Sequence, residues 1–150
     1  MPSKEPPSRS PAWDALHEAL RSGKLPTPRT LGVKMKLHHR AVERGRWRGE
    51  AVFERGGGNS FGVIHGGFLA WLLDIAMGYA SVTQLEPGET QRTLEMKINF
   101  LSGVPVDNVA IDGEVLRRGK RTAYCEGSVR TLAGELVARA SATFSIKGRD

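Results

Sequence analysis

The stretch that decides the fold is Ile64-His65-Gly66-Gly67-Phe68-Leu69-Ala70-Trp71-Leu72-Leu73-Asp74-Ile75-Ala76-Met77-Gly78-Tyr79-Ala80-Ser81-Val82-Thr83-Gln84-Leu85. Its apolar side chains fall nearly all around a helix, and such a helix is buried in a large core or in lipid. Lipid loses, because a span needs about 20 mostly apolar residues, whereas this run carries His65 and Asp74 and fades at Thr83 and Gln84. The reading is one long helix enclosed by protein.

Outward from it the period changes to two. Between Leu31 and Glu54, Val33, Met35 and Leu37 alternate with Lys34, Lys36 and His38, and Trp47, Gly49, Ala51 and Phe53 alternate with Arg46, Arg48 and Glu50. Two antiparallel strands turning near Glu43 to Gly45 fit this pattern. After the helix come four more period-two runs: Leu94, Met96, Ile98, Phe100; Val109, Ile111, Gly113, Val115; Ala123, Cys125, Gly127, Val129; and Ala138, Ala140, Ala142, Phe144, Ile146. The small side chains of the last two let a backbone come close, so these strands are expected to cradle the helix. The sum is an α+β chain, a mainly antiparallel sheet of five or six strands curling around one central helix. Residues 1–11, rich in proline, read as a flexible tail; Trp13, Leu16 and Leu20 predict a short helix over Ala12 to Arg21; and 12–150 reads as a single domain.

Composition bounds the rest. The 150 residues are 39% hydrophobic and 25% charged, which excludes a disordered or fibrous chain. A net charge of +6 favours anionic partners. Lysine and arginine at alternate strand positions mark a solvated face, and no aromatic-rich strand face supports nucleic acid. The lone Cys125 precludes an internal disulfide and favours a reducing compartment; with no apolar leader in the first residues, a cytoplasmic address is expected. His17, His38, His39 and His65 lack metal-ligand spacing, so no metal is expected. Cys125, on a small-residue strand face, reads as core.

Chemistry concentrates in Asn59-Ser60-Phe61-Gly62-Val63-Ile64-His65-Gly66-Gly67 and in Asp74. Gly66 and Gly67 open the first helical turn, whose N–H groups lack intrahelical partners and favour negative charge. That suits an oxyanion, although His-Gly-Gly also serves as a plain loop-to-helix junction. An acidic residue between Leu73 and Ile75 is costly to bury unless paired or used, which marks a candidate site or a structural hydrogen bond. Gly66 and Asp74 lie eight positions apart, about 12 Å along one helix, too far to serve one reacting carbonyl. Two copies with antiparallel helices about a two-fold axis bring them together, so a real site implies a dimer.

Asn59, His65-Gly66-Gly67 and Asp74 at these spacings, with Leu94-Glu95-Met96-Lys97-Ile98-Asn99-Phe100-Leu101 and Gly134-Glu135-Leu136-Val137-Ala138-Arg139-Ala140, resemble the hotdog-fold acyl-CoA thioesterases of the phenylacetate-pathway and 4-hydroxybenzoyl-CoA type over Gly32 to Ile146. The resemblance implies a curved antiparallel sheet wrapped around a central helix. It implies Asp74 as nucleophile or general base, and Gly66 of the other subunit as oxyanion donor. His65 and Asn59 would hold the loop and the carbonyl or sulfur, and Thr93 would contact the water or nucleophile. Gly67 would line the substrate site, with Arg117, Arg118, Lys120 and Arg121 meeting coenzyme A phosphates. Some family members place a threonine one turn beyond the carboxylate, where this chain has Gly78. The function implied is hydrolysis of an acyl-CoA by a dimer or dimer of dimers, with no cofactor beyond the coenzyme A of the substrate and no nucleic-acid or membrane partner. A hotdog module that binds acyl-CoA without turnover is the alternative. Phe61, Trp71, Tyr79 and Phe100 suit an aryl or medium-chain acyl pocket or plain core.

Overall fold

Alternation of apolar and polar side chains produces six strands, and the apolar run between the second and third produces one long helix. The computed structural model describes residues 35–53, 58 and 61–148, all within the unit Val33–Asp150. The elements are β1 (Met35–Glu43), β2 (Arg46–Phe53), α1 (Gly66–Val82), β3 (Thr90–Phe100), β4 (Val109–Arg118), β5 (Thr122–Thr131) and β6 (Leu136–Lys147). They form one antiparallel sheet in the order β1-β2-β4-β5-β6-β3. The helix lies against its inner face. The expected tail over 1–11, the short helix over Ala12 to Arg21, and Asn59 lie outside the described residues.

The core is the inner sheet face plus one side of α1. Trp47, Ala51, Val109, Ile111, Val129, Val137 and Phe144 from the strands meet Leu69, Leu72, Leu73, Ala76 and Met77 from the helix. Close approach depends on small residues, as the sequence suggests: a Cβ on Gly113 would collide with the Ala76 carbonyl, and one on Gly127 would lie 3.0 Å from Met77 Cγ. The outer face is charged but largely neutralised in place. Arg46 pairs with Asp112 at 2.9 Å, Arg48 with Glu43 at 2.8 Å and Arg139 with Glu126 at 2.7 Å. The basic alternation in β2 is thus spent on ion pairs along the sheet.

Two expectations change. The helix is not enclosed on all sides by its own chain: Trp71 is 49% exposed, Tyr79 41% and Val82 50%. Its second apolar face is bare because the sheet covers only one. The alternation in β3 also breaks. A β-bulge between Thr93 and Glu95 puts Leu94 at 61% exposure, although its spacing suggests the apolar side. One extra residue reverses which face each later side chain takes, so Thr93 and half-buried Met96 and Ile98 point the same way.

Candidate active site

α1 carries both groups of candidate residues, the first fixed by its own cap and the second by β3. At its start, His65 caps the helix with extended backbone (φ −64°, ψ 134°), and its Nδ1 accepts the Gly67 N–H at 2.9 Å. The Phe68 and Leu69 N–H groups donate to the His65 carbonyl at 2.9 and 3.3 Å. Among the described residues nothing accepts the Gly66 N–H, which leaves it as the free donor of the first turn, at the positive end of the helix dipole. Gly67, expected at the substrate site, spends its N–H on the cap instead. The Phe100 ring lies 3.4 Å from where a Gly66 Cβ would stand. Ile64, Leu69, Leu101 and Ser102 complete a cleft of about 280 Å³ there.

Asp74 sits two turns further on. The β3 bulge aims Thr93 at it, and Thr93 Oγ1 donates to Asp74 Oδ1 at 2.9 Å. A charge-assisted bond of this kind fixes one carboxylate oxygen. Both line a second cleft of about 270 Å³, with Gly78, Tyr79, Val82 and Phe144. The two clefts share no residue. The structure therefore unites Thr93 with Asp74, and His65 with Gly66 and Gly67, and leaves the two groups apart on one rigid rod. The arrangement supplies a pinned carboxylate in one place and, in another, a backbone donor with no acceptor among the described residues, the two requirements of acyl transfer through an oxyanion.

The comparisons identify the family and the fold. The family model for the thioesterase superfamily matches residues 61–138, which include Gly66, Asp74 and Thr93. The chain belongs to the thioesterase superfamily. It is thereby a thioester hydrolase. A protein of Saccharolobus solfataricus that carries an esterase name is 32% identical over 105 residues, 70% of this chain and 74% of that one. A thioesterase structure from Ralstonia eutropha, described as phenylacetic acid degradation-related, superposes with a TM-score of 0.70 at 26% identity, covering 85% of this chain and 97% of that one. A Streptococcus mutans protein solved with acetyl-CoA shares the fold, with a TM-score of 0.70 at 24% identity over 76% and 90% of the two chains. The architecture is the hotdog fold.

The four cations of the thioesterase's β4–β5 turn are not equivalent. Arg118 is a strut: it reaches Glu89 at 2.5 Å and the Gly119 carbonyl. Arg118 and Glu89 are only 20% and 19% exposed, and the guanidinium holds the Glu89 carboxyl below its ordinary range, helped by the Glu86 backbone. Among the described residues no carboxylate pairs with Arg117, Lys120 or Arg121. Sequence reasoning missed Glu89, for nothing in its spacing announces a partner across the β3 entry. Cys125 is fully buried and desolvation pushes its thiol up to about 12, so it is no nucleophile at neutral pH. Among the described residues no three His, Cys, Asp or Glu side chains cluster to hold a metal ion, and no helix is long and apolar enough to cross a membrane.

Proposed function

We propose that this thioesterase hydrolyses an acyl-CoA to the carboxylic acid and coenzyme A at a centre shared by two copies of the chain. One observation carries the reading: the pinned Asp74 and the free Gly66 N–H occupy separate clefts of one helix. A second copy resolves the separation, and the protomer offers it two unpartnered surfaces. The bare face of α1 exposes Trp71 and Val82 beside half-buried Ile75. At the sheet edge, the 11-residue β3 pairs with β6 on one side and, among the described residues, with no strand on the other, a surface that proteins normally cover. An isologous contact through these surfaces sets Gly66 of the partner subunit opposite Asp74, twice.

The step then follows from the groups. Asp74 takes a proton from water as the water oxygen bonds to the thioester carbon. Negative charge forms on the carbonyl oxygen, where the Gly66 N–H of the partner subunit and the helix dipole behind it stabilise it, a donor of this kind supplying about 2.7–4 kcal/mol. The C–S bond breaks, and the departing thiolate takes the proton from Asp74. The same residues allow direct attack by the carboxylate, with water then cleaving the anhydride. Thr93 holds Asp74 in place, His65 holds the cap, and Arg117, Lys120 and Arg121 meet the coenzyme A phosphates while Arg118 braces their turn. No cofactor beyond the substrate's own coenzyme A enters the reading, and its setting is the cytoplasm, where a lone cysteine stays reduced.

The test is thiol release from acetyl-, hexanoyl-, palmitoyl- and phenylacetyl-CoA, with solution mass measured in parallel. Release from at least one substrate by a species of two or four chains is expected. A protein that releases coenzyme A from none, or that is active as a monomer, overturns the reading.

A further inference from the structure

Gly78 stands near the end of the interior of a 17-residue helix, where glycine costs about 1 kcal/mol relative to alanine. Elsewhere the chain shows its reason for such a residue, as where Gly113 admits the helix backbone. At Gly78 no such reason exists among the described residues. An added Cβ would meet Gln91 Nε2 at 3.7 Å and Phe144 Cε1 at 3.8 Å, ordinary contacts both. Nor is the position a hinge: Gln91 Nε2 donates to the Gly78 carbonyl at 2.9 Å and ties the helix to β3.

What the missing methyl leaves open is the floor of the Asp74 cleft. Gly78 lies one turn beyond the carboxylate on the same helix face, between Tyr79 and Phe144. Tyr79 is held from behind, its ring 5.3 Å from Trp47 and 5.7 Å from His39, and Trp47 Nε1 donates to His39 Nδ1 at 2.9 Å. Gln91, Arg92 and Thr93 make one side of the cleft polar, whereas bare backbone between two aromatic walls, with Val82 beyond, makes the Gly78 side an apolar slot. It suits hydrocarbon better than the amide-bearing pantetheine arm, whose polar groups need partners.

Resting on the proposed hydrolysis, we infer that Gly78 sets acyl specificity, admitting acyl groups that carry aryl or extended alkyl bulk a few atoms from the thioester. One turn is about 5.4 Å, so an acetyl group held at Asp74 stops short of Gly78, whereas a hexanoyl or phenylacetyl group lies against it.

The test compares the wild-type chain with Gly78→Ala and Gly78→Val in kcat/KM on acetyl-, hexanoyl- and phenylacetyl-CoA, with melting temperature and solution mass as controls. Gly78→Ala is expected to melt no lower than wild type and to keep its mass. The ratio of its kcat/KM on the two larger substrates to that on acetyl-CoA should fall at least tenfold, further in Gly78→Val. An equal fall on all three substrates, no change on any, or loss of the oligomer overturns the inference. Binding of non-hydrolysable acetyl-type and phenylacetyl-type thioether analogues, measured by calorimetry, separates the two claims. If wild type hydrolyses nothing, the catalytic reading fails, yet Gly78→Ala must still weaken only the larger analogue for the slot to stand.

Discussion

The first turn of α1 and its middle differ in what fixes them and in what they leave unused. At the first turn, the His65 cap consumes the Gly67, Phe68 and Leu69 N–H groups and leaves that of Gly66 over. Further along, a side chain from another element, Thr93 on the β3 bulge, pins the carboxylate of Asp74. In the proposed mechanism one region offers a dipole that needs no proton, the other a group that takes and returns one. A rigid helix keeps them about 12 Å apart, so in that mechanism each is half of a reaction that the symmetry of a dimer completes.

The comparison breaks most visibly at the carboxylate. Asp74→Asn is expected to lower kcat at least a hundredfold, about the contribution of a positioned general base, with KM and melting temperature little changed; steady-state kinetics on the preferred acyl-CoA measures it. The opposite region needs a change that removes an N–H rather than a side chain. Gly66→Pro does so, because proline is at home in the first helical position and His65 already has the extended backbone that a residue before proline requires. A fall in kcat of about 10²–10³ is expected, the cost of one oxyanion donor, with the helix intact by circular dichroism. Thr93→Val sharpens the contrast on the carboxylate side. Losing one charge-assisted bond worth about 1.5–3 kcal/mol should cost roughly tenfold or more in kcat and leave KM nearly unchanged.

The smallest effects lie at the β4–β5 turn. Arg117→Ala with Arg121→Ala should raise KM severalfold with kcat held, and the rise should shrink at high salt as screening grows. Arg118→Ala should instead lower the melting temperature. Glu89 has a folded-state value below its ordinary 4.5, so its ion pair stabilises the fold above that pH and the contribution disappears as pH falls through the folded value. The melting difference between wild type and Arg118→Ala is therefore expected at pH 7 and should close toward pH 3 in a pH series of thermal melts.

Much of this was legible in the residues. Period-two runs placed all six strands, and the Ala, Gly and Cys faces of β5 and β6 announced the close helix contact. The His65-Gly66-Gly67 and Asp74 spacing separated the two halves before any coordinates. What the sequence concealed has physical causes. A bulge adds one residue without changing composition, so Leu94 reads as apolar face while Thr93 takes the inward position. Capping geometry decides which first-turn N–H remains free, and glycine identity alone cannot tell Gly66 from Gly67. The ion pair of Arg118 with Glu89 joins elements far apart in sequence, invisible to any local pattern. The all-round apolar helix signalled complete burial, but its own sheet leaves Trp71, Tyr79 and Val82 exposed.

The most direct measurement is complementation between two crippled chains. Co-expressing Asp74→Asn with Gly66→Pro under different tags, and purifying the mixed species, yields dimers in which one centre has both halves intact and the other has neither. The purified mixed dimer should restore about half of wild-type activity, since each holds one working centre of two. A mixture no more active than its parents would show that Gly66 and Asp74 do not meet across the two-fold axis, and would contradict the account.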